Sequence, residues 1–421
     1  MTFKHSPLII PIEILVREFE SRLLIALQAI NNGFSVIFGE QENIRANMQN
    51  LPDGIYFDKS VAKNKYEYYK KLISLGNKIV GIDEEGLMAF NNTYSYLNNR
   101  HDHKNLNLID KFFTWSNFEK ELLCKYYGAF SNKYYTTGNA RLDLWNTNNT
   151  NILYNEEIDE INHTNKEFIL MPTNFAYPHI AGDEDFLKRQ AINLGIINNP
   201  GEFYLWATKR EYKKKCAQEF KKLILYLSGK NYNIVVRPHP SENVNYWKNS
   251  FNKSNILVSN KFNISSWIYC SKAVIHNSCT TGLEAYLQNK KVISYLPYTY
   301  NEDVNHISNI ASEIANSKEN VLRILNNEKI NKIKLNDVVK MGNNYIEIVK
   351  QLNNLKFETV RNKIGDLISL ESDAYGKQKF PNTETSYLES KYSRIKNIFN
   401  LKLNIYIKKL SNNIWLLKSE I

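Results

Sequence analysis

The sequence predicts an α/β protein of two Rossmann-like domains with a C-terminal helical segment. Three observations predict it. Apolar, β-branched runs alternate with helix-periodic stretches across residues 7–138, and the alternation resumes across 167–297. A polar, Asn-rich stretch at 146–165 separates the two series. The chain has 421 residues, more than a single hydrophobic core usually serves.

The first series opens with "PLIIPIEIL" as a strand, then a helix with Phe19, Leu23, Ala26, Leu27 and Ile30 on one face. Asn32-Gly33 ends that helix, and "FSVIFG" is the next strand. A helix at 62–75, Gly76 and the strand "KIVGID" repeat the cycle, and 111–138 continues it as far as "TTGNARLDLW". The second series starts at "EFILMP" (167–172). A helix at 211–228 stops at Gly229, "NIVVR" (233–237) and "AVIHN" (273–277) are strands, a helix covers 281–289, and "KVISYLP" (291–297) closes the series. Residues 303–355 read as helical, and no internal repeat appears. The expected boundaries are 1–150, 151–340 and 341–421.

The formal net charge is +11, which fits an anionic substrate, an anionic membrane surface or nucleic acid. Basic residues interleave with aromatics only in the tail, so nucleic acid ranks last. Residues 391–418 carry seven cations, no acid, and Ile395, Phe399, Trp415 and Leu416. Two readings stand level there: peripheral contact with an anionic membrane, and a helix packed on the body with a solvated basic face. "LKLNIYIK" alternates with period two, so strand competes with helix. The four cysteines are scattered and no secretory signal opens the chain, which fits a reducing cytoplasm.

In an open parallel sheet, ligands bind beyond the carboxyl ends of the strands. Three groups sit there. Asp83, Glu84 and Glu85 follow the strand at 78–82, with Gly86 to turn the chain; crowded carboxylates raise at least one pKa and make a general base. The competing reading is an acidic turn before a helix. Arg237 and His239, fixed between Pro238 and Pro240, can hold a phosphate; the competing reading is a structural loop. Asn277, Ser278, Cys279, Thr280 and Thr281 lead into a helix, where hydroxyls and backbone N–H groups form an anion site. The competing reading is an ordinary cap. Gly282 allows close approach, and Glu284 is positioned for ribose hydroxyls. Cys279 reads as packing and His276 as core. No GxxxxGK[ST] loop or convincing DxD pair is present, so a metal-independent reaction without a cofactor is expected.

With those residues placed, the chain resembles bacterial GT-B glycosyltransferases that use CMP-activated acidic sugars. Glu84-Glu85-Gly86 look like their acidic-acidic-Gly motif, His239-Pro240 like their HP motif, and Ser278 to Thr281 like their Ser/Thr motif. It is more closely similar to the bacterial surface carbohydrate biosynthesis protein family, through "IPIEILVREFESRLLIALQA", "GIYFDKS", "DEEG", "TGNARLDL", "PTNF", "RPHPSENVNYW" and "HNSCTTGLEAYLQNKKVISY". Ala140 departs from the proline expected in "TGNPR", and the tail beyond residue 355 is not covered. The resemblance implies that Glu84 or Glu85, with Glu84 preferred, is the catalytic carboxylate. His239 would bind the CMP phosphate and assist its departure. Ser278, Thr280 and Thr281 would hold the same phosphate, and Asn174 and Arg237 would line the donor site. Kdo or a sialic acid-like nonulosonate would pass to a capsule, lipopolysaccharide or other glycolipid acceptor. The rival readings are a UDP-GlcNAc 2-epimerase-like enzyme, a CDP-glycerol glycerophosphotransferase and a non-catalytic membrane-surface scaffold.

Overall fold

The structure, a computed structural model, describes residues 3–84, 100–175, 184–193, 197, 199–240, 242–298, 306–327, 339–369 and 385–420. The chain divides into two compact units. The first takes Met1–Leu87, Tyr94–Leu144 and Leu335–Ile421; the second includes Trp145–Lys334. The third region expected at 341–421 is thus part of the first unit.

In the first unit the chain runs β1 (Leu8–Ile12), α1 (Leu15–Asn31), β2 (Val36–Glu40), α2 (Gln41–Asn47), β3 (Ile55–Asp58), α3 (Tyr66–Ser74) and β4 (Lys78–Ile82). It continues with α4 (His103–Leu108), β5 (Lys111–Thr114), α5 (Asn117–Tyr126), β6 (Tyr134–Thr136) and α6 (Ala140–Leu144). Strands β1 to β6 are mutually parallel in the order β2-β1-β3-β4-β5-β6. Every residue of β1 and β3 is buried, as a sheet covered on both faces requires, and β1 is apolar throughout. Because β2 and β3 flank β1 on opposite sides, the strand order reverses between β1 and β3.

The second unit runs α7 (Thr147–Thr164), β7 (Ile169–Pro172), α8 (Glu184–Asn193), α9 (Pro200–Gly229), β8 (Ile234–Arg237), α10 (Val244–Asn249), β9 (Ile256–Val258) and α11 (Ile264–Cys270). Then follow β10 (Ala273–His276), α12 (Thr281–Leu287), β11 (Lys291–Tyr295), α13 (Ile307–Ile310), β12 (Glu313–Ala315) and α14 (Lys318–Asn326). Its six strands are all parallel, ordered β12-β11-β10-β7-β8-β9. The reversal falls between β7 and β10, the switch point where such sheets open a crevice.

Three expectations are corrected. The stretch 146–165, polar enough to read as a linker or surface excursion, is the helix α7. Asn146 caps it by accepting from Asn149 N, and Leu153, Tyr154, Ile158 and Ile161 are buried, so its asparagines are the solvated side of an amphipathic helix. Helix α9 begins at Pro200, not 211, because Asn199 accepts from Glu202 N (2.9 Å) and proline suits a first helical turn. The stretch 303–355 is not wholly helical, since Glu313–Ala315 pairs with β11.

The C-terminal segment is half helix and half hairpin. After α15 (Asn344–Asn353), α16 (Thr385–Ile398) carries Lys391 against Glu20 of α1 at 3.1 Å. Then β13 (Ile405–Ser411) and β14 (Ile414–Ser419) form an antiparallel hairpin, and β14 adds antiparallel to β2 with Trp415 opposite Phe38. Gly39 makes this docking feasible: a Cβ there would stand 2.0 Å from Asn413 O. Ile414, Trp415, Leu416 and Leu417 are buried, so these apolar residues of the tail lie inside the sheet. Lys402, Lys408, Lys409 and Tyr406 remain exposed.

Candidate functional site

In the second unit, three adjacent strands deliver the polar residues found in sequence. Strand β7 ends in Pro172 and passes to Thr173 and Asn174; β8 passes to Pro238 and His239; β10 passes to Asn277 and Ser278. Asn174 Nδ2 donates to Ser278 O at 3.0 Å, across the reversal between β7 and β10. Ser278 takes φ +47°, a left-handed conformation unfavourable to a side-chain-bearing residue. Asn309 holds it by donating Nδ2 to Ser278 Oγ at 3.0 Å. The turn leads into α12, whose N-cap, Thr280, makes no capping bond with its side chain. That half-buried hydroxyl therefore remains at the strand end, whereas Thr281 Oγ1 accepts from the Cys279 thiol at 3.3 Å.

Behind this loop the packing is tight. His276 is fully buried, 2.9 Å from Ser312 Oγ through Nε2 and accepting from Cys279 N through Nδ1 at 3.2 Å. Burial, with His306 beside it, pushes its imidazole down to about 3, so it is a neutral core residue. Gly282 makes room for that histidine: a Cβ there would lie 2.2 Å from His276 Nε2. Asn277 donates to Tyr295 O at 2.9 Å and faces Lys213 Nζ at 3.4 Å through Oδ1. Lys213 comes from α9, sixty-four residues away, and places a cation at the strand ends that sequence reading missed.

The His239 loop is anchored from below. Glu242 is buried and accepts from Phe175 N (2.7 Å), Trp247 Nε1 (2.8 Å) and the Thr173 hydroxyl. Thr173 Oγ1 in turn accepts from His239 N at 3.2 Å. This network fixes the half-buried His239 at the end of β8, and Pro240 is exposed beside it. Glu242, the last residue of "RPHPSE", was visible in sequence but carried no signal of its role.

Two expected donor ligands are directed elsewhere. Arg237 donates through Nη1 to Lys261 O (2.6 Å) and Ser259 O (3.3 Å), and through Nη2 to Phe262 O. Burial pulls its guanidinium down to about 10. Those bonds tie β8 to the segment before α11. Glu284 is buried and accepts from Ser265 Oγ, a bond that links α12 to α11.

In the first unit the acidic cluster meets cations. Arg100 grips Asp83 through Nε (2.5 Å) and Nη2, and Trp115 Nε1 donates to Asp83 O at 2.6 Å. Glu84 is buried: Arg22 Nη2 lies 2.8 Å from Oε1, and Asn139 Nδ2 donates to Oε2 at 3.1 Å. Arg141 Nη1 donates to Glu84 O at 3.1 Å. The repulsion expected among crowded carboxylates is therefore met by two guanidiniums. Glu85 and Gly86 lie outside the described residues. Ala140 opens α6 where a first-turn proline would also fit, so the departure from "TGNPR" changes little.

Two further groups flank this cluster. At the reversal between β1 and β3, Lys59 Nζ sits 2.5 Å from Glu13 and 3.3 Å from Glu18. Burial would lower its pKa, but the two carboxylates raise it. Next to Asp83, Ser116 accepts from Glu119 N (3.1 Å) while Glu119 Oε2 accepts from Trp115 N (2.6 Å). Burial pushes the Glu119 carboxyl up to about 8, helped by Asp83.

No family model matches the chain, and no curated protein does. Among solved structures, it is similar to UDP-GlcNAc 2-epimerase from Methanocaldococcus jannaschii, with TM-score 0.51 and 11% identity over 83% of this chain and 99% of that one. For the same enzyme in complex with UDP-GlcNAc and UDP the TM-score is 0.54, with 15% identity over 83% and 100%. The wall teichoic acid polymerase TagF gives TM-score 0.45 and 12% identity over 83% and 89%. The fold is accordingly α/β of the GT-B kind, with an eight-stranded mixed sheet and a six-stranded parallel sheet.

Proposed function

We propose that this chain is a glycosyl-transfer enzyme whose second unit grips the phosphate of a nucleotide-activated sugar. One observation carries the reading. At the reversal between β7 and β10, Asn174 braces a left-handed Ser278, with the Thr280 hydroxyl at the start of α12, Lys213 reaching in from α9 and His239 at the end of β8. A hydroxyl, an imidazole and an ammonium there suit a phosphate whose charge grows as it leaves. The first unit would offer the acceptor beside Glu84 and Glu85.

The donor we favour is a CMP-activated acidic sugar, Kdo or a nonulosonate, passed to a surface glycan or glycolipid. The ordered motifs around Glu84, His239 and Ser278 support it, and a chain of net charge +11 concentrates an anionic donor. No metal or cofactor enters this reading. Glu84 would act as base only by exchanging its bond from Asn139 for one from the acceptor hydroxyl, with Arg22 still beside it. A UDP-sugar is the second donor class, because the epimerase of similar fold has been solved with UDP-GlcNAc and UDP.

Thermal melts with CMP, CDP and UDP side by side test the reading. A nucleotide at 100 times its Kd adds about 2.7 kcal/mol. A shift with CMP alone supports the CMP-sugar donor. A shift with UDP or CDP alone removes that donor and keeps the phosphate site, and no shift with any of them removes the site.

A further inference from the structure

Helix α9 is thirty residues long, yet its buried residues begin only at Cys216, with Tyr212 packed half-buried against the core before it. None of residues 200–215 is buried, although they include four consecutive apolar side chains, Phe203, Tyr204, Leu205 and Trp206. Tyr204 is 69% exposed and Leu205 58%. Lone exposed apolar residues need no explanation, but four in a row near the start of one helix form an apolar tip. Phe203 and Trp206 stack within it, with centroids 6.0 Å apart.

Charge follows immediately. Residues 200–215 hold Lys209, Arg210, Lys213, Lys214 and Lys215 against Glu202 and Glu211 alone. Glu211 lies 4.0 Å from Lys214. Arg210 sits 4.4 Å above the Trp206 ring, and Lys188 of α8 4.4 Å from the Phe203 ring. At 1.5 Å per residue, Lys209 to Lys215 stand about 5–14 Å behind Trp206 along the axis. Interfacial helices bury apolar side chains roughly 5–10 Å deep with their cations at the headgroups. Among the described residues, no helix is long and apolar enough to cross a bilayer.

We propose that the Phe203–Trp206 tip and the cations behind it dock the protein on an anionic lipid surface. The occupant follows from charge complementarity: aromatic tip first, lysine collar second, matched to acyl chains and phosphate headgroups. The exposed lysines of the tail have Tyr406 beside them, but Trp415 and Leu416 are buried. The placement also has a functional consequence. Lys213, which reaches Asn277 in the proposed donor loop, is seven residues beyond Trp206, about 10 Å along the helix. A lipid-linked acceptor would then be presented close to the donor phosphate. The docking itself does not depend on the identity of the nucleotide.

Co-sedimentation of the full chain with phosphatidylcholine vesicles, with and without phosphatidylglycerol, tests this. Binding is expected only with phosphatidylglycerol, and it should weaken with salt. Tyr204→Ser/Leu205→Ser and Lys214→Glu/Lys215→Glu should each reduce vesicle partitioning by about tenfold or more. Both should keep the wild-type melting temperature and nucleotide shift. Lys408→Glu/Lys409→Glu in the tail should leave partitioning unchanged. The proposal is overturned by equal binding to neutral vesicles, by absent binding, by indifference to either α9 pair, or by an equal loss from the tail pair. It is also overturned if the α9 variants change the oligomeric state and not vesicle binding, which would make the tip a contact between copies.

Discussion

Glu84→Gln separates a positioning role from a proton-accepting one. Arg22 is fully buried beneath Phe57, with its guanidinium 4.2 Å from the ring centroid, and Glu84 supplies a counter-charge at 2.8 Å. Removing one partner of a buried pair costs about 3–5 kcal/mol, because the other charge is left uncompensated. For a unit of this size, each kcal/mol lowers Tm by about 2–4 °C, so a fall of roughly 6–20 °C is expected. Arg22→Met/Glu84→Gln should recover much of that loss, since neither charge then remains. Hydrogen exchange locates the effect: protection should fall in β1 to β6 and stay constant in β7 to β12. If Glu84→Gln melts within about 1 kcal/mol of wild type while activity vanishes, the ion pair is not structural and Glu84 is a base acting on its own.

Three further outcomes follow from the packing. Gly39→Ala should free the C-terminal hairpin, raising exchange at 405–419 and costing about 1–3 kcal/mol, because its Cβ would meet Asn413 O. Gly282→Ala should displace α12 from His276, lowering Tm and weakening nucleotide binding together; unchanged values for both would refute the close-packing argument. Glu119 should make the fold less stable as pH rises. Its carboxyl titrates near 4.5 when unfolded and near 8 when folded, so the folded state keeps the proton longer. The stabilisation is complete below the lower value and lost as pH climbs through the upper one. Glu119→Gln, followed by urea melts from pH 5 to 9, should flatten that slope.

The alternation of strands and helices was legible because parallel strands buried on both faces leave unbroken apolar runs, as in β1 and β8. The helix α7 was not legible, because its asparagines and acids mask the four buried apolar residues, Leu153, Tyr154, Ile158 and Ile161. The hairpin β13–β14 was ambiguous for a local reason: "LKLNIYIK" alternates, but only the distant Gly39 opens space for the strand to dock. Site residues adjacent to one another in sequence were found as groups. Within those groups, Arg237 and Glu284 turned out to bind backbone and a neighbouring helix, a distinction that depends on where Lys261 and Ser265 lie. Lys213, Asn309 and Lys59 reach their sites from other elements, so no local pattern could single them out.

The central claim is that the ends of β7, β8 and β10 form a phosphate site. Its most direct test is calorimetric titration of the best-stabilising nucleotide into wild type, His239→Ala and Thr280→Val. A hydrogen bond to a charged group contributes about 1.5–3 kcal/mol. Each substitution should therefore weaken binding roughly ten- to hundredfold, with Tm little changed. Wild-type affinity in both variants would contradict the account and return these loops to a purely structural role.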